Sequence, residues 1–201
     1  VAARYPVPAA RHRVEQVIDR SRFLCTVERV ESVSDAQAFI KAVSAEFADA
    51  THNCWAYVVG APGSTDRIGL SDDGEPHGTA GRPMLTVLAH SGVGDIAAVV
   101  TRYYGGTKLG TGGLVKSYGG SVQQALATLP TVERVDTIDL RFAVGHAQVG
   151  AVLQALPTLT AELLSQQYGA DAAFVVRLPV EQRPALEALV AHLTRGQGTV
   201  V

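Results

Sequence analysis

Cysteine is scarce in this chain: Cys25 and Cys54 are the only two in 201 residues, far apart and with no Cys-x-x-Cys spacing. That excludes a disulfide framework, and a reduced, cytosolic pair is the expectation. Long apolar runs are missing as well. The longest purely apolar stretches are a few residues, too short to cross a membrane, so no membrane partner is expected. The first thirteen residues mix Pro, Arg and His without an apolar stretch, which is not how a secretory signal reads, and the cytoplasm is the expected location. An excess of charge is lacking too, at a net −2 with 18% charged residues. Up to Pro130 there are 12 Lys/Arg against 12 Asp/Glu, and beyond it 5 against 7. Neither part is a basic domain that would grip nucleic acid through bulk charge. No internal repeat or low-complexity segment appears. With 47% hydrophobic residues, the chain is an ordinary globular protein, long enough for one large domain or two small ones.

Familiar site motifs are absent in the same way. There is no Walker A loop, because no Gly-Lys-Ser/Thr follows a glycine at the required interval. Gly92-x-Gly94-x-x-Ala97 fits the letters of a dinucleotide fingerprint but precedes a strand instead of opening a helix. His90, His146 and His192 are scattered without zinc spacing, no Gly-x-Ser-x-Gly elbow exists, and no DNA-specific motif is found.

What is present is concentrated between Arg102 and Tyr118. Five glycines, three cations and three tyrosines share these seventeen positions with no carboxylate. An apolar run, Ile96 to Val100, leads in, and a helical pattern leads out. A donor-rich turn that opens a helix presents backbone N–H groups and a positive dipole end to an anion. Gly105, Gly106, Gly110, Gly112 and Gly113 supply the turn, and Arg102, Lys108 and Lys116 surround it with positive charge. Tyr103, Tyr104 and Tyr118 could stack on bases, and each could equally belong to the core. The plain alternative is a tight strand-to-helix connection whose glycines serve positive φ and close packing.

A second constellation is Ser71-Asp72-Asp73-Gly74-Glu75-Pro76-His77-Gly78-Thr79-Ala80-Gly81-Arg82-Pro83. Asp72, Asp73 and Glu75 could together hold a hard cation such as Mg²⁺, the one cofactor the sequence raises, or supply an acid/base pair. Asp-Asp-Gly is equally ordinary turn chemistry. His52-Asn53-Cys54 is the third. His52 and Cys54 share a strand face, yet Cys54, set beside Trp55 and Tyr57, reads as a small buried hydrophobe rather than a nucleophile.

Periodicity predicts strands at Val14–Ile18, Arg22–Val30, Cys54–Gly60, Ile68–Leu70 and Ile96–Arg102. Helices are predicted from a Ser34/Gln37 capping box onward, over Pro83–His90, and through Val115–Leu129. After Pro130 the pattern restarts as β-α-β-β-α-β, the order of a ferredoxin-like unit, with Thr199–Val201 as its last strand. The predicted architecture is α+β, with domains at 1–132 and 133–201 and a boundary near Thr131–Asp136.

Three segments together resemble the IMPACT family, in its bacterial, YigZ-like branch. They are His52-x-Cys54-x-Ala56, the run Ser71 to Met84, and Val99-Val100-x-Arg102-Tyr103-Tyr104-Gly105-Gly106-x-x-Leu109-Gly110-x-Gly112-Gly113-Leu114-Val115. The resemblance covers nearly the whole chain, and Thr79 and Arg82 fall within it. Departures are mild: His77 replaces a small residue, Arg82 a lysine, and Thr107-Lys108 two apolar residues. The shared part of the turn is therefore Arg102 and the backbone amides rather than Lys108. The resemblance implies an α/β layered domain like domain 2 of ribosomal protein five, then a ferredoxin-like domain like the fifth domain of elongation factor G. It further implies a translation-linked role, binding RNA, the ribosome or a nucleotide. An enzyme reading, a metal-dependent hydrolase or transferase on a phosphorylated substrate, and a protein-interaction module stand as alternatives, with binding expected ahead of catalysis.

Overall fold

The computed structural model describes residues 4–201, so the first three residues of the N-terminal segment read above lie outside it. The chain divides into two compact units between Arg134 and Val135.

The first unit is built on five antiparallel strands: β2 (His12–Ile18), β3 (Ser21–Arg29), β4 (His52–Val58), β5 (Ile68–Ser71) and β6 (Ile96–Tyr103), in the order β2-β3-β6-β4-β5. The central strand β6 is apolar on both faces because both are covered. Ala97 and Val99 pack under α1 (Val33–Glu46), while Ile96, Ala98 and Val100 pack under α2 (Gly81–Ala89) and α3 (Gly110–Ala127). The cap of α1 is Ser32, whose side chain accepts from the Asp35 N–H at 3.0 Å. The expected Ser34/Gln37 box is two residues late. Ser32 holds the extended conformation a cap requires, and Asp35 then falls in the first turn, where the dipole favours a carboxylate.

Two strands are absent from the sequence expectation: β1 (Arg4–Pro8) and β7 (Thr131–Val135), which form a ribbon of their own. The segment expected to hold the domain boundary thus contains one strand of a sheet. It is anchored by buried Asp95, which accepts from the Tyr5 hydroxyl at 3.0 Å and the Gly60 N–H at 2.8 Å and pairs with Arg134. Five-residue strands rich in proline and charge have too little alternation to announce themselves.

The second unit orders its strands β8 (Thr137–Val144), β10 (Ala172–Pro179) and β9 (Glu162–Tyr168), with β10 central. The helices α4 (Val149–Ala155) and α5 (Arg183–Leu193) complete a core around Leu140, Phe142, Phe174, Val176 and Leu186. Val201 exchanges both backbone hydrogen bonds with Arg141, at 2.7 and 2.8 Å, on the other edge of β8. The expected final strand at Thr199–Val201 is therefore reduced to one paired residue, and the unit keeps the β-α-β-β-α order of a ferredoxin-like fold.

Candidate functional site

Because β4 lies antiparallel to both β5 and β6, those two strands run the same way and end at the same edge. The helices α2 and α3 each follow one of them, so both begin there, side by side. Gly119 of α3 sits against Pro83 and Val87 of α2, where even an added Cβ would be only 3.7 Å from the Pro83 Cβ. Two positive dipole ends therefore share one rim.

The two ends are treated differently. Asp72 fills the first: its carboxylate accepts from the N–H groups of Ala80 (3.0 Å), Gly81 (2.8 Å) and Gly78 (2.7 Å). Burial by itself would raise this carboxyl, but the Gly78, Gly81 and Ala80 amides hold it below the usual range. Among the described residues the second end has no such partner: no side chain caps α3, and no acidic residue lies in its first turn.

In front of that open end lies a recess of about 270 Å³ whose lining includes Glu75, Pro76, Arg102, Tyr104, Lys108 and Thr111. The acidic loop and the glycine segment thus face each other. Their meeting point is an ion pair, with Arg102 Nη1 donating to Glu75 Oε1 at 2.5 Å. Both side chains are buried, at 6% and 4% exposed. The Tyr118 hydroxyl donates to the same Glu75 oxygen at 2.8 Å, and Arg102 Nη2 donates to Ser21 Oγ at 3.3 Å. The third guanidinium nitrogen of Arg102, Nε, is buried without a hydrogen-bond partner among the described residues. Register explains the cluster: Arg102 on β6 lies between Phe23 of β3 and His52 of β4, on the face that α2 and α3 cover. Tyr118 then packs edge-on against Phe23, centroids 5.4 Å apart.

The sequence candidates separate accordingly. Tyr104 is 47% exposed at the recess. Tyr103 is turned away, with its hydroxyl donating to Asp49 at 2.8 Å. Gly110, Gly112 and Gly113 lie within the first turn of α3, so the true loop is only residues 104–109. Gly105 serves packing, since a Cβ there would stand 2.0 Å from the Arg20 carbonyl oxygen. Lys108, Lys116 and Arg82 are exposed and in no ion pair among the described residues. Thr79 is buried, its hydroxyl donating to the Pro76 carbonyl at 2.6 Å.

The three carboxylates are not assembled around one point. Asp72 caps α2, Asp73 accepts from the Asn53 N–H at 2.6 Å, and Glu75 holds Arg102. No cluster of three metal-ligating side chains occurs among the described residues. His52 places Nδ1 on the Asp73 carbonyl oxygen at 2.8 Å, leaving Nε2 3.8 Å from Glu75. Cys54 donates to the Asp72 carbonyl oxygen at 2.9 Å, and burial pushes its thiol up to about 12. That is a structural cysteine rather than a nucleophile.

Sequence reasoning missed Ser21 and Tyr118 as the partners that complete the Arg102–Glu75 pair. Ser21 is 81 residues from Arg102 and carries no local signal. A larger recess, about 660 Å³, lies on the sheet of the second unit. It adjoins neither an open helix end nor a buried unpaired donor, so the chemistry is argued at the smaller one.

An α/β layered unit with one filled and one uncapped helix end, followed by a ferredoxin-like unit, is the class of protein that fold and site define. Residues 19–126 match the Impact N-terminal domain, and residues 142–197 match a domain of unknown function, DUF1949. The chain is 42% identical over 190 residues to the IMPACT family member YigZ of Escherichia coli K12, covering 94% of this chain and 93% of the relative. It is 37% identical over 186 residues to the IMPACT family member YvyE of Bacillus subtilis, covering 92% and 85%. A crystal structure of a hypothetical protein superposes with a TM-score of 0.73 at 40% identity, covering 100% of this chain and 98% of the other. The chain belongs to the IMPACT family. Among the described residues no helix is long and apolar enough to cross a membrane.

Proposed function

We propose that the first unit is a phosphate-reading module and that the chain acts in the cytoplasm by binding RNA, free or within the ribosome, as a translation-linked regulator. The observation that carries this reading is the contrast between two neighbouring helix ends. The protein's own Asp72 carboxylate occupies the N-terminus of α2, while the N-terminus of α3 opens uncapped onto a recess beside unpaired Lys108. An anion at the second position would complete the symmetry, accepting from backbone N–H groups as Asp72 does at the first. Arg102 contributes shape and a buried donor rather than net charge, because Glu75 neutralises it. Tyr104 stands at the mouth as a platform for a base. Binding is favoured over catalysis because Asp72, Asp73 and Glu75 are each committed elsewhere and Cys54 is a buried thiol.

Anisotropy titration of a labelled single-stranded RNA tests the reading. Each phosphate contact to a single strand steepens the salt dependence by about 0.7 in log–log slope. Lys108 and Lys116 together then require a slope of at least about −1.4, roughly a sevenfold loss between about 50 and about 200 mM salt. Lys108→Gln and Lys116→Gln should each weaken binding and flatten that slope. Absent binding at low salt, or binding indifferent to both substitutions, refutes the proposal. Capture of a protein that survives nuclease treatment would move the function to the interaction-module reading, and Mg²⁺-dependent turnover of a phosphate ester would move it to the enzyme reading.

A further inference from the structure

The sheet of the first unit is covered on both faces, and the two helix layers present different outer sides. On one, α1 exposes Asp35, Lys41 and Glu46, the mixed charge of an ordinary solvated helix. On the other, α2 and α3 hold one charged residue each, Arg82 and Lys116, and no carboxylate. Between them runs an open groove of about 500 Å³, which shares no lining residue with the recess described above. Its residues on α3 recur at every fourth position, Val115, Gly119 and Gln123, and Pro83 and Val87 do the same on α2. The groove therefore lies along both helix axes, and from Val115 to Gln123 it runs about 12 Å, or two helical turns. Val115 stands 42% exposed at its rim. The floor is glycine that the chain's own packing does not require. A Cβ added at Gly119 would meet the Pro83 Cβ at 3.7 Å, an ordinary contact, and one at Gly120 would meet nothing within 4 Å. Neither glycine has a positive φ. Glycine inside a helix is costlier than alanine, so the room these two leave serves something outside the chain.

Backbone chemistry and charge together identify the occupant. The walls are two α-helices, whose backbone groups beyond the first turn are already spent on their own hydrogen bonds. An extended segment laid between them would exclude water from its own N–H and C=O groups and find no partners for them, whereas a helix satisfies its own. The charge is of one sign and at one end. Arg82 lies in the first turn of α2 and Lys116 in the second turn of α3, both exposed and in no ion pair among the described residues. The far end, at Val87 and Gln123, is neutral. We infer that the groove docks an amphipathic helix of another protein. Apolar side chains at i, i+4 and i+7 of that helix sit over Gly119 and Gly120, and its carboxylates lie in the turn beside Arg82 and Lys116. A nucleic-acid strand could use the two cations, but it has no apolar side chains to fill the glycine floor.

Anisotropy with labelled synthetic peptides of about 16 residues, long enough to hold a helix, tests this on the full chain. One peptide carries leucine at i, i+4 and i+7 with glutamates at one end of that face. A second carries lysines in their place, and a third has the same composition with its leucines spread around the helix. The glutamate peptide should bind at least about tenfold tighter than either control. Arg82→Glu combined with Lys116→Glu should invert the preference toward the lysine peptide, which no difference in peptide helicity can do. Gly120→Leu should fill the groove and weaken the glutamate peptide by at least about tenfold, with a urea midpoint no lower than that of the natural chain, since leucine is the better helix former. Lys108→Gln, which lies at the recess, should leave the peptide unaffected. No binding of the glutamate peptide up to about 1 mM, equal affinity for all three peptides, or indifference to Gly120→Leu would overturn the inference. So would a lowered midpoint in Gly120→Leu, because the fold itself would then need the glycine. Single-stranded RNA that displaces the peptide and is itself weakened by Gly120→Leu would give the groove to nucleic acid instead. Failure of the peptide arms leaves the RNA reading standing on its own test at Lys108.

Discussion

Breaking the Arg102–Glu75 pair from one side should leave the first unit marginally stable, and breaking it from both sides should cost well under the sum of the two single breaks. Each partner is more than nine-tenths buried, and among the described residues each is the other's only charged hydrogen-bond partner. Arg102→Met would leave the Glu75 carboxylate buried with the Tyr118 hydroxyl as its hydrogen-bond donor and His52 Nε2 3.8 Å away. Glu75→Gln would leave a buried guanidinium facing a neutral amide and Ser21. Removing one member of such a pair costs about 3–5 kcal/mol, because a buried charge is left uncompensated. Against a typical domain stability of about 5–15 kcal/mol, each single variant becomes marginal. At about 4 °C per kcal/mol, melting should fall by roughly 12–20 °C. The double variant should cost less than the sum of the singles by about 2 kcal/mol or more. The assay is urea denaturation followed by tryptophan fluorescence. Trp55, the sole tryptophan, lies on β4, so the signal reports the first unit even if the second melts separately. A cost under about 1 kcal/mol for either single, or strict additivity in the double, would show that the pair is not a coupled unit. The same reasoning dictates how binding should be tested. Arg102→Ala confounds folding with recognition, whereas Lys108 and Lys116 are exposed and can be neutralised without disturbing the core.

Two further expectations follow from neighbouring groups. Asp72→Ala should destabilise the first unit by about 2–4 kcal/mol, since Ala80 and Gly81 would be left with buried, unpaired N–H groups. The Asp72 carboxyl is held low in the folded state, so its contribution is full above the unfolded value of about 3.9 and fades as pH falls through the folded one. The gap in urea midpoint between the natural chain and Asp72→Asn should therefore narrow between pH about 7 and about 3, and an unchanged gap contradicts this assignment. Cys25 and Cys54 are both buried with thiols pushed up to about 12, so thiol reagents near neutral pH should label neither until urea opens the fold. Rapid native labelling of Cys54 would place it in an open, reactive setting instead.

Most of the fold was legible because burial writes itself into local periodicity. The alternation through β8 and β10, the apolar run of β6 and the three-and-four spacing of α3 each predict an element that the structure contains. The misreadings share a cause. The ribbon of β1 and β7 is stabilised by a distant carboxylate, Asp95, and the cap of α1 turns on which serine takes an extended backbone. Neither fact is a property of a local window.

The glycine segment and the acidic loop stood out as composition, and composition could say that two unusual stretches exist. It could not say that Glu75 is spent on Arg102, that Asp72 is spent on the end of α2, or that Tyr103 faces away while Tyr104 faces in. A carboxylate's chemistry depends on which donors lie within about 3 Å of it, and those donors come from strands and helices far apart in the chain. The periodic pattern of side chains therefore carried the architecture, and the three motif segments carried the family. Only the meeting of β5, β6, α2 and α3 at one edge decided which charges cancel and which helix end stays uncapped.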